Sequence, residues 1–233
     1  MPIGRSSTAK LYIPHFSLEK LLPLPYLIPR ADGPSISKLD ITMDLLEAII
    51  SRRSIRRYQQ RPVALEDLLK LTDAGRLAAT GGNRQPWEFI IVHQKELVET
   101  LFPCLAWLAG DGHPPAGMEP VAYMVILGDP QRSAHYQLDC AAAAQNILVA
   151  AQVLGLGSCW LGSVDWRTVR QLLNIPDHLE GFGVVSLGYP AQKVVIEAGM
   201  DDRLPKRDEQ GVLHLSKRSR EELVHLNRYG RSF

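Results

Sequence analysis

The chain has 233 residues, 45% of them hydrophobic and 22% charged, which excludes a disordered polymer and suits one globular domain better than two. With 26 Lys+Arg against 25 Asp+Glu the formal net charge is +1, so no overall field draws the protein to nucleic acid or an anionic membrane, and any working positive charge is local. Three scattered cysteines (Cys104, Cys140, Cys159) without a Cys-x-x-Cys pair suit a reducing, cytoplasmic compartment, and with no two histidines at i, i+4 a metal site is not expected.

The first forty residues carry Pro2, Pro14, Pro23, Pro25, Pro29 and Pro34, and no periodicity survives between them. They read either as an extended leader or as an arm that wraps a partner subunit with Leu21, Leu22, Leu24, Tyr26 and Leu27. Because Pro23 and Pro25 also cut the apolar run Leu21 to Ile28, no secretory signal is read there, and no apolar run is long enough to span a bilayer. The remaining residues, 41–233, read as one domain.

Regular patterning begins with Thr42 as a plausible N-cap and Leu45, Leu46, Ile49 and Ile50 as an apolar stripe at helical spacing. After Pro62 a second helix is expected, with Leu65, Leu68, Leu69 and Thr72 on one face, Glu66 and Asp67 in its first turn, and Gly81-Gly82 as its breaker. Phe89 to Val92 and Val121 to Leu127 read as apolar strands. Asp139 to Leu154, rich in alanine, should be a long central helix closed by Gly155 or Gly157. A short strand over Ser158 to Leu161, a helix over Val164 to Leu173 and a third apolar strand over Phe182 to Leu187, ended by Gly188-Tyr189-Pro190, complete the reading. Helices and strands mix without βαβ alternation, and neither a G-x-G-x-x-G fingerprint nor a P-loop is present.

Four stretches carry chemistry. Arg52-Arg53-Ser54-Ile55-Arg56-Arg57-Tyr58 places guanidinium forks and a hydroxyl where they could cradle a phosphate; the plainer alternative is a set of cations at a helix C-terminus. Gly81-Gly82-Asn83-Arg84-Gln85-Pro86-Trp87 joins two glycines, which permit close backbone approach, to two amides; a helix stop leading into a strand explains the glycines but not the amide order. Gly155-Leu156-Gly157-Ser158-Cys159-Trp160-Leu161-Gly162 suits a backbone that passes a flat ligand, or simply a tight turn. Lys206-Arg207 alone would read as solvated surface. Phe102 to Gly117, with Trp107, is either a lid or a surface loop.

Taken in this order, the four stretches together with Leu187-Gly188-Tyr189-Pro190 resemble the FMN-dependent nitroreductase family, from about Leu45 to Tyr189 and more loosely to His214. The resemblance implies an α+β fold with a central mixed, mainly antiparallel sheet packed with helices, and an intertwined homodimer with FMN at its interface. It also implies hydride transfer from NADH or NADPH through flavin N5 to a small organic acceptor such as a nitroaromatic or quinone, in a ping-pong cycle that needs no catalytic side chain. Carried over, Arg52, Arg53 and Ser54 hold the phosphate and ribityl end, and Arg56 lies near the pyrimidine edge, where its charge would stabilise the reduced ring. Asn83 and Gln85 bond the flavin from the second subunit, Trp160, Leu161 and Gly162 approach N5, and Lys206 and Arg207 complete the phosphate site. Two departures stand out: Ala79-Thr80 replaces the usual Pro-Ser, and Leu161 replaces the common glutamate beside N5. A flavin-binding or flavin-processing protein without redox activity is the alternative that the same motifs allow.

Overall fold

The computed structural model describes residues 44–108, 112–198 and 205–233. Residues 1–40, read above as an arm or leader, and the expected cap Thr42 lie outside the described residues. Helix α1 (Leu45–Ser51) instead starts behind Asp44, which makes no side-chain cap bond. There follow β1 (Tyr58–Gln59), α2 (Leu65–Arg76), a 3-10 turn (Gly81–Asn83), β2 (Trp87–Val92), α3 (Lys95–Leu101) and a second 3-10 turn (Phe102–Cys104). Beyond these come β3 (Ala122–Gly128), α4 (Tyr136–Val153), β4 (Gly157–Leu161), α5 (Trp166–Leu172), β5 (Glu180–Pro190), β6 (Val194–Ala198), β7 (Lys206–Arg207), β8 (Leu213–Lys217) and α6 (Arg220–Leu223).

The main sheet runs β2-β3-β5, with β4 and β1 sharing the far edge of β5, and every strand pairing in it is antiparallel. Strand β3 is buried along its whole length because both faces of the sheet are covered. On one face Ala122, Met124, Ile126, Val185 and Leu187 pack with Leu68 and Leu71 of α2 and with Cys140, Ala143, Ala144, Ile147 and Ala151 of α4. On the other, Tyr123, Val125, Leu127, Cys159, Leu161 and Val184 pack with Val98 and Leu101 of α3, with Val169 of α5, and with Leu105. Strict two-residue alternation along β3 therefore feeds two separate cores. The result is α+β, with helices on both faces of the sheet, as the resemblance implies.

Helix α4 ends as its glycine requires. Gly155 takes φ +70, its N–H donates to Gln152 O (3.0 Å), and Leu156 N–H donates to Ala151 O (2.8 Å), the paired bonds of a Schellman stop. Other boundaries move. Helix α2 ends at Arg76, well before the glycines, and buries Leu68, Leu71 and Gly75, while Leu65 and Leu69 are exposed. Strand β5 does not stop at Gly188: Tyr189 and Pro190 pair with Gln59 and Tyr58, because β1 offers a partner that the local sequence does not reveal. Strands β6, β7 and β8 form a second, three-stranded sheet, absent from the sequence reading, in which β6 and β8 are parallel.

Helix α1 buries only Ala48. Its apolar stripe, Leu45, Leu46, Ile49 and Ile50, stays 49–65% exposed, so nothing among the described residues covers it. No helix among the described residues is long and apolar enough to cross a membrane.

Candidate functional site

The arginine segment leaves α1 in extended geometry at Arg52 (φ −57, ψ 132) and runs beside the start of β4. Ser54 bridges Ser158 in parallel, and Ile55 N–H donates to Ser158 O at 2.9 Å. From below, the fully buried Tyr58 hydroxyl donates to Ile55 O (2.5 Å) and lies 2.8 Å from Ser186 Oγ, which also reaches Cys159 O (3.2 Å). Burial holds the Tyr58 phenol well above its usual range, so it stays a neutral donor. Both sides of the Ile55 residue are thus pinned to the sheet, and the residues flanking it, Ser54 and Arg56, are held in place. Gln192 Nε2 adds a bond to Ser54 O (3.4 Å), and Gln152, near the end of α4, donates to Ser51 Oγ (3.2 Å).

The cations on this frame are poorly satisfied. Arg53 Nη1 donates to Ile50 O (2.7 Å) and Arg52 O (2.8 Å), so part of its job is to cap α1, as the plainer reading of the motif holds. Burial first, and the charge of Arg52 second, depress its guanidinium below the usual arginine range. Yet Arg52 Nη1, Arg53 Nε and Arg56 Nε are buried without a hydrogen-bond partner, and among the described residues no carboxylate pairs with these three side chains. Orphaned buried donors of one charge sign, gathered in one segment, are what an anion would satisfy. Gln192 Oε1 is a further buried atom without a partner beside this segment.

The amide loop is built differently. Gly82 (φ 61), Asn83 (φ 56) and Gln85 (φ 46) all lie in the left-handed region, although Gln85 precedes a proline that ordinarily drives its neighbour to extended geometry. Asn83 and Gln85 are exposed. They are bonded mainly to each other, Gln85 Nε2 to Asn83 Oδ1 at 3.0 Å, and the loop is tethered through Gly81 N–H to Asp139 Oδ1 (3.2 Å) at the start of α4.

At the far end of β4, Trp160 is half exposed and tilts against Phe182 (5.2 Å between ring centroids), Leu161 is buried, and Gly162 faces open space. The segment after α3 lies alongside: Leu105 bridges Val164, Ala106 N–H donates to Ser163 O (2.9 Å) and Asp165 N–H donates to Cys104 O (2.8 Å). Trp107 therefore follows immediately on a stretch tied to the residue after Gly162, and its ring clusters with Phe102 (5.8 Å) and His113 (6.5 Å). The base of the Phe102 to Gly117 stretch, read as either a lid or a surface loop, is anchored there; residues 109–111 lie outside the described residues. Lys206 and Arg207 form β7, a hairpin arm on β8. A cavity of about 600 Å³ between α3 and the Gln60–Pro62 stretch includes none of the residues named from the motifs.

One chain thus unites the arginine segment with β4, Ser158 touching Ile55, but not with the amide loop. Gly81 meets α4 at Asp139 and Ser51 meets it at Gln152, positions roughly 20 Å apart at 1.5 Å rise per residue. Tyr58, Ser186 and Gln192 are the positions to which sequence reasoning gave no role. For Ser186 a signal existed, a lone hydroxyl inside an apolar strand, which needs a buried partner; nothing local marks Gln192.

A family model described as the nitroreductase family matches residues 49–189. The chain belongs to that family. It is 41% identical over 169 residues, 69% of this chain and 92% of the relative, to an Archaeoglobus fulgidus protein provisionally named NADH dehydrogenase/NAD(P)H nitroreductase. It is 28% identical over 197 residues, 72% of each chain, to a Bacillus subtilis protein named FMN reductase (NADPH). Among solved structures, a nitroreductase with bound FMN from Bacteroides fragilis matches at 26% identity and a TM-score of 0.55, over 69% of this chain and 95% of that one. The fold is that of the nitroreductases.

Proposed function

We propose that this chain is an NAD(P)H-dependent oxidoreductase that carries FMN and works as a homodimer, reducing a small flat acceptor such as a nitroaromatic or quinone. The observation that carries the reading is the set of buried, unpartnered donors on Arg52, Arg53 and Arg56, held against the β4 segment that leads to the open backbone of Gly162. When bound, FMN would supply the redox chemistry, taking hydride from NADH or NADPH and passing it to the acceptor.

The protein's part is binding, orientation and electrostatics. Arg52, Arg53 and Ser54 hold the phosphate and ribityl end, with Lys206 and Arg207 closing over the phosphate. Arg56 sets a fixed positive charge against the pyrimidine edge, where negative charge develops on reduction. Trp160, Leu161 and Gly162 present backbone to the reacting edge, and Gly162, without a side chain, leaves that face open to substrates. Because Leu161 brings no carboxylate there, the pocket suits flat apolar acceptors more than cationic ones. Asn83 and Gln85 contribute from a second copy, a reading that their separation from the arginine segment along α4 supports, and the exposed stripe of α1 supplies apolar surface for that association. Three unpaired thiols accord with a cytoplasmic setting.

Two measurements test this. Anaerobic NADH or NADPH should bleach the flavin of the purified protein; lasting oxidised colour with both would leave only flavin binding. For the shared site, Arg53→Ala/Arg56→Ala chains and Asn83→Ala/Gln85→Ala chains should each bind FMN weakly. Co-expressed in equal amounts, they should recover about a quarter of the wild-type sites, because mixed dimers carry one whole site each. Absence of recovery would place each site within a single chain.

A further inference from the structure

His214 lies on β8 with both ring nitrogens engaged by carboxylates. Nδ1 lies 2.5 Å from Glu197 Oε1 on β6, and Nε2 lies 3.0 Å from Asp208 Oδ2, just past β7. Both contacts need a donor on the ring, so the clamp is complete only with imidazolium. Asp208 is also the keystone of the β7–β8 turn: its Oδ1 accepts from Gln210 N–H (3.0 Å) and Val212 N–H (2.8 Å), and its own N–H donates to Val212 O (3.0 Å). Lys206 is the ladder partner of His214, and Arg207 that of Leu213, with Arg207 Nη1 also donating to Gly211 O. One ring therefore ties three strands and the turn that follows Lys206-Arg207.

We infer that His214 is a positioning residue for the phosphate end of FMN: its doubly bonded ring fixes the β7 hairpin so that Lys206 and Arg207 meet the phosphate, and its deprotonation loosens that grip. This rests on the proposed phosphate role of Lys206 and Arg207. The groups facing the ring are Glu197 from β6, Asp208 from the turn, and Lys206 opposite on β7. Asp208 first and Glu197 second raise the His214 ring above its usual range, and the same His214 bond leads the causes that depress Asp208. With a raised histidine, the clamp is whole below the ordinary histidine value and is lost as pH climbs through the elevated one. With a depressed carboxyl, the acid limit comes only as pH falls through the value of Asp208. A phosphate monoester has its second pKa near about 6, so between neutrality and pH 9 the ligand charge is steady and a change in affinity reports on the protein.

The test compares FMN with riboflavin, which lacks the phosphate. Each is titrated into the flavin-free full-length chain and followed by quenching of flavin fluorescence. His214→Gln should weaken FMN about tenfold, the scale of losing an outer support of a binding group, and leave riboflavin within about twofold. Equal losses for both ligands, or none for FMN, would overturn the inference. Should His214→Gln fail to fold, the wild-type profile decides: the FMN-to-riboflavin preference should fall as pH climbs through the raised His214 value, and a ratio that stays flat while NMR of the ring follows the loss of its proton refutes the clamp. Lys206→Ala/Arg207→Ala separates the two layers of the argument. If it leaves the preference intact, the phosphate role and the inference fall together; if it removes the preference and His214→Gln does not, only the inference falls.

Discussion

The arginine segment and the amide loop bind ligand in the same proposal, yet they are made in opposite ways. The segment is fixed by bonds that reach across the molecule, from Ser158, from Gln192, and from Ser186 through the Tyr58 hydroxyl that also donates to Ile55 O. Its unfinished part is charge: buried donors on Arg52, Arg53 and Arg56 wait for an anion. The loop around Asn83 and Gln85 is exposed, is tethered at Gly81 to Asp139 and at Arg84 to Arg132 while its two amides bond each other, and holds two non-glycine residues in the left-handed region. Its unfinished part is conformational. A site built from both halves has its electrostatics prepared in one chain and its second wall supplied by another, so FMN binding and dimer assembly should be coupled.

The largest effect should come from the charged half. Removing Arg56 should delete the proposed charge-assisted contact to the flavin, about 2 kcal/mol or roughly thirtyfold in FMN affinity. Because Arg56 Nε has no partner among the described residues, like charges adjoin it, and its neutral neighbour Cys159 offers only a weak acceptor, Arg56→Ala should leave the melting temperature of the flavin-free protein nearly unchanged. Fluorescence titration and thermal melts check the pair of outcomes. A destabilised protein with undiminished FMN affinity would make Arg56 a structural residue, and the contrast between the two halves would collapse.

Next comes the frame under the arginines. Tyr58→Phe removes one hydroxyl, leaving buried Ile55 O unpaired and Ser186 Oγ with Cys159 O alone. An unpaired buried acceptor costs about 1–2 kcal/mol of unfolding free energy, measured by denaturant titration. FMN affinity should drop as well, by roughly fivefold, because Ser54 and Arg56 flank the released peptide. A loss of stability without a loss of affinity would show that the segment keeps its shape by other means.

Legibility in the sequence followed the range of the forces involved. The helix over Asp139 to Leu154 and the strand over Val121 to Leu127 were readable because alanine content, apolar spacing and a closing glycine act locally, and both appear within a few residues of the expected limits. The pairing of Ser54 with Ser158 was not legible, since no pattern in either stretch points to the other and the resemblance implied only that both stretches meet one flavin. The β6–β8 sheet escaped because its strands are short and its parallel pair joins Val194 to Leu213, a contact that neither stretch encodes alone. Tyr58 stood in a quoted motif without a role, since a hydroxyl acquires its meaning from the carbonyl it reaches. The roughly 20 Å between the two halves of the site along α4 is likewise a property of packing, not of order along the chain.

The smallest effect should come from the loop. At φ 46 and ahead of Pro86, Gln85 occupies a conformation that costs an ordinary residue about 1–2 kcal/mol. Glycine removes that cost, gives back about 0.4–1 kcal/mol through the freer unfolded chain, and forfeits the exposed bond to Asn83. Gln85→Gly should therefore keep the stability of the flavin-free protein or raise it by about 0.5 kcal/mol. FMN affinity should fall, by roughly threefold, because the proposed amide contact is gone and the freer loop must be ordered on binding. Urea melts and fluorescence titration on the same samples read both numbers. A clear loss of stability would mean that the chain itself, not the ligand or the second copy, justifies the left-handed turn; unchanged FMN affinity would remove the loop from the site and with it the need for a second chain.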